Sequence, residues 1–260
     1  MNRINARFDA VKDGAVKPLI CFVTAGDPDL ETTAKIVPAL YDAGVDIVEL
    51  GIPFSDPMAD GPVIQAAGFR ALQKGATVDG VLQCVMTIRK TCEIPLVIMT
   101  YYNPILHYGI ERFAKAASSA GVDGVIVTDL PADEAAEWIE QCNKFDIATV
   151  FLVAPTSTDD RIRLTADKTT GFIYCVSRLG VTGAQNTLAS GLSDFVNRIK
   201  SLTDKPVAVG FGISTHDQVS EVSRTADGVV VGSALVKAIS DSISADAAIE
   251  NAVKFVSGLR

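Results

Sequence analysis

Eight short apolar runs, at 19–24, 47–50, 96–100, 124–128, 148–152, 172–175, 207–210 and 228–231, most constrain what this chain can fold into. They are rich in β-branched residues and continuous rather than alternating in polarity. That pattern suits strands buried on both faces of a parallel sheet. Amphipathic segments separate them. In 30–43 the apolar positions are Ala34, Ile36, Val37, Leu40 and Tyr41, and 110–120, 133–143, 217–224 and 234–240 behave alike. Each reads as a helix following a strand. Asp27-Pro28-Asp29, Pro131-Ala132-Asp133 and Ser214-Thr215 supply the turn and capping residues that start three of them. Strand–helix alternation repeated eight times predicts an α/β fold, the (β/α)8 TIM barrel, with residues 1–260 as a single domain. A doubly wound open sheet is the rival, but it uses fewer units. Ile4, Phe8 and Val11 have helical spacing and predict an extra N-terminal helix outside the eight units.

Composition excludes several classes of function. The formal charge of −8 repels a phosphate backbone, so nucleic-acid binding is not expected. No apolar run approaches the ~18 residues that span a bilayer, and the first residues carry no secretory leader pattern. The 5 cysteines (Cys21, Cys84, Cys92, Cys142 and Cys175) are odd in number, scattered, and without a CxxC pair. They read as reduced thiols, four of them in apolar core stretches, and the expected location is the cytoplasm. With only 2 histidines, His107 and His216, a three-histidine metal centre is impossible. His107 reads as a loop or surface residue and His216 as the start of a helix.

Two long connections follow strand ends, at the rim where barrels of this kind carry chemistry. One runs from Gly51 to Pro62 and is too rich in Pro and Gly to be regular structure; the other, 177–186, follows the sixth strand. Glu49 stands near the end of an otherwise apolar strand. A carboxylate there is costly to desolvate, and burial raises its pKa toward the range of a general acid–base. A salt-bridged rim carboxylate is the plainer alternative. Asp60 either bonds its own backbone as a turn residue or, paired with Glu49, gives the barrel mouth a second carboxylate, whereas Asp56 reads as a turn residue bonding its own backbone. Asp56-x-x-x-Asp60-Gly61 is not a calcium loop. Gly210-Phe211-Gly212-Ile213-Ser214 after the seventh strand and Gly232-Ser233 after the eighth occupy the recurrent phosphate-binding positions of the fold, although tight turns alone would also use glycine. They match neither a dinucleotide fingerprint nor a nucleotide-triphosphate loop. No strand contains the lysine that a Schiff-base aldolase needs. What remains is carboxylate acid–base chemistry on a small phosphorylated substrate, with no organic cofactor.

The chain resembles the α subunits of tryptophan synthase over nearly its whole length. The resemblance is carried by Phe22-Val23-Thr24-Ala25-Gly26-Asp27-Pro28, Glu49–Pro57 with Ala59-Asp60-Gly61-Pro62, and Ser177-Arg178-Leu179-Gly180-Val181-Thr182-Gly183. Gly210-Phe211-Gly212-Ile213 and Gly232-Ser233-Ala234 complete it. The carboxylate loop is the specific part; the glycine pairs alone would be weak. Met58 and Leu179 stand at positions taken as variable. The resemblance implies a lyase that cleaves indole-3-glycerol phosphate to indole and glyceraldehyde 3-phosphate by a retro-aldol reaction. It makes Glu49 the acid–base and Asp60 the partner of the indole N–H. Phe22, Met99, Ile126, Leu152, Tyr174 and Thr182 would contact the substrate, and Gly183, Phe211, Gly212, Gly232 and Ser233 would hold its phosphate. The loop around Thr182 would close as a lid. The resemblance also implies a β subunit that carries pyridoxal phosphate and receives indole through a tunnel, in an α–β–β–α heterotetramer. Pro53, Asp56, Pro57, Asn103 and Pro131 would face that partner, and this chain would hold no cofactor. Another cofactor-free phosphate-binding barrel isomerase, or a non-catalytic activator subunit, are the competing readings.

Overall fold

The computed structural model describes residues 2–11, 14, 16–176, 191–210 and 212–260. Eight parallel strands close into a barrel in chain order: β1 (Leu19–Thr24), β2 (Ile47–Gly51), β3 (Leu96–Thr100), β4 (Gly124–Val127), β5 (Ala148–Val153), β6 (Ile173–Val176), β7 (Val207–Gly210) and β8 (Gly228–Val231). Four of these strands have the bounds expected from sequence, and the rest shift by one residue at one end or at both. The helices are α1 (Arg3–Ala10), α2 (Leu30–Asp42), α3 (Pro62–Gln73), α4 (Val78–Ile88), α5 (Tyr102–Tyr108), α6 (Ile110–Ala120), α7 (Ala136–Lys144), α8 (Asp159–Lys168), α9 (Leu192–Lys200), α10 (His216–Ser223), α11 (Ser233–Ser240) and α12 (Ala245–Ser257).

Three local expectations need correction or refinement. The helix expected over 133–143 begins at Ala136, because Pro131 closes a turn with the Glu134 N–H (3.0 Å) and Asp133 is drawn to Arg161. His107, read as a loop or surface residue, is on the surface but within a helix, α5; Asn103-Pro104 forms its first turn, where proline loses no helical hydrogen bond, and the Asp129 carboxylate accepts from the Tyr102 N–H at 2.7 Å. Third, the structure adds bounds for α3, α4, α8, α9 and α12, helices that the sequence reading does not delimit, although the eightfold alternation calls for a helix after each strand. By contrast, Thr215 forms a full capping box with Gln218 at the start of α10, and Asp29 caps α2.

The core has two shells. Alternate strand residues point outward, where Val48, Leu50, Ile98 and Val125 meet the helices; the others fill the barrel. The register pairs Ile20 with Ile47, Phe22 with Glu49 and Met99 with Ile126. Helix α1 plugs the end of the barrel where the strands begin, inserting Ile4 and Phe8. Gly124 and Gly228 make room for the plug: a Cβ on Gly124 would lie 2.7 Å from the Ile4 side chain, and one on Gly228 would lie 3.3 Å from the Phe8 ring.

The same end carries a repeated clamp. The Asp46 carboxylate accepts from the Leu19 N–H at 2.7 Å, Asp123 from Leu96 at 2.8 Å, and Asp227 from Val207 at 3.0 Å. Each residue precedes an even-numbered strand and ties down the start of the strand before it. At β5 the acceptor is the Thr170 hydroxyl, bonded by the Thr149 N–H at 2.9 Å.

Candidate active site

At the C-terminal ends of the strands, two glycines make room for two aromatic walls. A Cβ on Gly51 would come within 2.5 Å of the Phe22 ring, and one on Gly210 within 2.4 Å of the Tyr174 hydroxyl. Between the rings lies a cavity that opens at the C-terminal ends of the strands. Glu49 and Asp60 line it together with Met99 and Leu152, and Gly212, Gly232 and Ser233 form another part of its wall. Glu49 and Asp60, the expected substrate contacts Phe22, Met99, Leu152 and Tyr174, and residues of both glycine turns therefore share one space.

Glu49 is completely buried, and among the described residues neither of its carboxylate oxygens has a hydrogen-bond partner. Its neighbours across the sheet are Phe22 and Val97. Burial alone pushes its pKa up to about 8, so the carboxyl is largely protonated near neutrality. Asp60 is different. Burial raises it to about 6, while a hydrogen bond from the Tyr101 hydroxyl opposes the rise. The same Tyr101 oxygen accepts from the Ala59 N–H at 2.9 Å, which holds the residue before Asp60 against the end of β3. The two carboxyl groups thus differ in protonation near pH 7, one an acid and the other mostly an anion.

Gly212 has φ +88°, a left-handed conformation that favours glycine. Helix α11 opens with Gly232 as its N-cap and without a side-chain cap bond, so the N–H groups of its first turn are not taken by a side-chain acceptor there. Both turns border the Glu49 cavity.

The remaining expected site residues fare differently. Ile126 is not among the residues that line the cavity; it is fully buried in the barrel interior, in one cluster with Val97, Val150 and Phe172 and next in register to Met99, which does line it. Thr182, Gly183 and Phe211 lie outside the described residues. Pro53 is buried, Pro57 and Pro131 are half-buried, and Asp56 and Asn103 are exposed. The Asp56 turn closes through its backbone carbonyl, which accepts from the Met58 N–H at 2.9 Å, while its carboxylate takes the Ser55 hydroxyl instead of its own backbone. His107 is exposed on α5, and His216 begins α10 with Nδ1 3.1 Å from the Leu259 carbonyl. Among the described residues no group of three or more His, Cys, Asp or Glu could hold a metal ion. Sequence reasoning misses Tyr101, Thr128, Ile64 and Val230 as cavity residues. Tyr101 and Thr128 each directly follow a strand, a position that points to the barrel mouth.

The family model described as the tryptophan synthase alpha chain matches residues 8–258. A tryptophan synthase alpha chain from Geobacter sulfurreducens is 49% identical over 260 residues, covering 100% of this chain and 98% of that protein. One from a Thermoanaerobacter species is 45% identical, covering 100% and 99%. Among solved structures, Mycobacterium tuberculosis tryptophan synthase superposes with a TM-score of 0.90 at 36% identity, covering 100% of this chain and 98% of that one. A chain from a study of mutual activation in the tryptophan synthase a2b2 complex of Pyrococcus furiosus superposes with a TM-score of 0.87 at 43% identity, covering 93% and 97%.

Proposed function

We propose a division of labour within this cavity on one premise: the chain belongs to the tryptophan synthase alpha chain family. It is a lyase of tryptophan biosynthesis, cleaving indole-3-glycerol phosphate to indole and glyceraldehyde 3-phosphate. The family carries out this step without a cofactor of its own.

An indole carbon is a poor leaving group until the ring is protonated at C3. The neutral Glu49 carboxyl supplies that proton. The ring becomes an indolenium cation, with positive charge on its N–H. Asp60, mostly ionised near neutrality, accepts that N–H and stabilises the charge; one well-placed group of this kind is worth about 3 kcal/mol. Glu49, now a carboxylate, takes the proton of the hydroxyl on the carbon attached to the ring. The C–C bond breaks, its electron pair returns to the ring, and the hydroxyl-bearing carbon becomes the aldehyde. One proton has entered at C3 and one has left the hydroxyl, so Glu49 ends as it began. Phe22, Met99, Leu152 and Tyr174 sandwich the ring, and backbone groups of Gly212, Gly232 and Ser233 hold the phosphate. Thr182, Gly183 and Phe211 keep the roles that the family resemblance gives them.

The single observation behind this assignment is the fully buried Glu49 carboxyl, without a hydrogen-bond partner among the described residues, in the same cavity as Asp60 and the two glycine turns. Replacing Glu49 with Gln keeps shape and burial but removes the transferable proton. Indole release from indole-3-glycerol phosphate should fall by at least about 10²–10⁴-fold. Turnover within tenfold of the parent protein would remove Glu49 from the mechanism.

The relatives in a2b2 complexes also support a β subunit as partner for this chain. We assign the pyridoxal phosphate to that subunit. The loop at 53–58 with Asn103 and Pro131 is its docking face in an α–β–β–α assembly; Met58, 77% exposed, stands out on that loop. We read residues 1–260 as one barrel domain working in the cytoplasm; among the described residues no helix is long and apolar enough to cross a membrane.

A further inference from the structure

The space around Glu49 does not end at Asp60. A second lobe shares Phe22, Asp60, Ile64, Met99 and Thr128 with the main cavity and continues past Asp60 to Thr24 and Gly68. Two features of that lobe lack an explanation within the protein's own packing.

The first is Gly68. It lies in the middle of α3, is buried, and has no positive φ. Glycine inside a helix is unfavourable relative to alanine. Here neither backbone geometry nor packing requires it, because an added Cβ would meet nothing within 4 Å. The second is Thr24, the last residue of β1, on the inward face with Ile20 and Phe22. It is 5% exposed, and among the described residues its hydroxyl has no hydrogen-bond partner. The neighbouring threonines of the lobe are bonded: Thr100 donates to the Tyr101 carbonyl at 3.3 Å, and Thr128 to the Thr100 carbonyl at 3.3 Å. Burying an unpaired hydroxyl is costly. A buried polar atom and unclaimed room in one lobe are what a ligand subsite looks like in the free protein.

The main site fixes which part of a substrate reaches this lobe. Glu49 and the glycine turns line only the main cavity, whereas Asp60 borders both. An indole with its N–H on Asp60 and its C3 toward Glu49 presents the benzo edge beside the nitrogen to Thr24 and Gly68.

We infer that the Thr24–Gly68 lobe is a substituent subsite: the protein also cleaves indole-3-glycerol phosphates bearing a small hydrogen-bonding group, such as a hydroxyl, on the ring carbon next to the nitrogen. This rests on the reading that Asp60 holds the ring N–H. The Thr24 hydroxyl bonds the substituent, and Gly68 leaves the room for it.

The test compares kcat/KM for indole-3-glycerol phosphate and its 7-hydroxy analogue, read as the ratio of the two. The parent protein should process the analogue within about tenfold of the unsubstituted compound. Thr24→Val should lower the ratio at least tenfold, Thr24→Ser should keep it, and Gly68→Leu should lower it by crowding the lobe. Thr24→Val should also raise the melting temperature, because it removes an unpaired hydroxyl, which shows that the variant folds. A ratio unchanged in Thr24→Val and Gly68→Leu, or an analogue that the parent does not cleave, would overturn the subsite. Failure to cleave unsubstituted indole-3-glycerol phosphate would instead overturn the reaction assignment, so the two failures are distinguishable.

Discussion

The two ends of the barrel bury carboxylates in opposite ways. Where the strands begin, Asp123 is 4% exposed by side chain and fully engaged: it meets Arg3 at 3.0 Å, Arg89 at 2.7 Å and the Leu96 N–H at 2.8 Å. Asp46 is held similarly, by Arg7, Arg260 and the Leu19 N–H. Where the strands end, Glu49 is just as buried, yet no described residue bonds either oxygen. The first arrangement holds a charge in place. The second suppresses one, storing an acid at a site where a proton must move. Equal burial has opposite chemical consequences because the partners differ.

Removing a clamp carboxylate is the harshest way to break this comparison. Asp123→Ala leaves the Arg89 guanidinium, only 11% exposed, without its anion and the Leu96 N–H without an acceptor. Arg89 keeps its bonds to the carbonyls of Gly121 and Ile94, but those do not neutralise it. Breaking a buried pair by removing one partner costs about 3–5 kcal/mol. Urea denaturation should show that loss, while the folded variant still releases indole, since the clamp lies at the other end of the barrel. A loss below about 1 kcal/mol would mean that the clamp does not hold the strand start.

Glu49→Gln should move stability the other way. The folded protein holds the Glu49 proton up to about pH 8, whereas an unfolded chain releases it near the ordinary value of 4.5. Between those values the folded state binds more protons, so Glu49 makes the parent protein progressively less stable as pH rises. Gln mimics the protonated form at every pH. The variant and the parent should therefore match below about pH 4.5, and the variant should be more stable by up to about 4 kcal/mol at pH 8. Melting curves across that range decide it; a gap that does not widen with pH would show that Glu49 is ionised in the folded protein.

The asymmetry between the ends also explains what is legible in the sequence. Glu49 stands out because it is the one carboxylate inside an apolar strand run, and no packing role calls for it there. The barrel is readable because each strand is buried on both faces and so becomes a continuous apolar run. Depth within the barrel is not readable. Alternation places Ile126 on the inner face, but does not say whether its side chain reaches the cavity or is covered by neighbours such as Met99. The partners of Asp123 are equally hidden, since Arg3 and Arg89 lie 120 and 34 residues away in sequence. Helix α3 escapes because Gly61-Pro62 reads as the end of a loop, although proline at a first helical position is also a start signal. Tyr101, whose hydroxyl joins Ala59 to Asp60, has no signal beyond following a strand.

The mildest test separates charge from hydrogen bonding within the clamp itself. Asp227 performs the same task as Asp123, accepting from the Val207 N–H at 3.0 Å, but its ionic partner Lys200 reaches it at the surface, the two side chains being 39% exposed for Lys200 and 28% for Asp227. An amide oxygen can still accept from Val207, so Asp227→Asn gives up only the ion pair. Pairs this exposed contribute about 0–1 kcal/mol and weaken with salt. The variant should therefore lose no more than about 1 kcal/mol, and less at high ionic strength. Asp123→Asn, made in parallel, should lose more, because the Arg89 charge it abandons is buried and salt cannot screen it. Equal losses at the two positions would mean that the N–H bond alone makes the clamp. The guanidiniums around Asp123 would then be spectators, and the contrast between the two ends of the barrel would rest on hydrogen bonds rather than on charge.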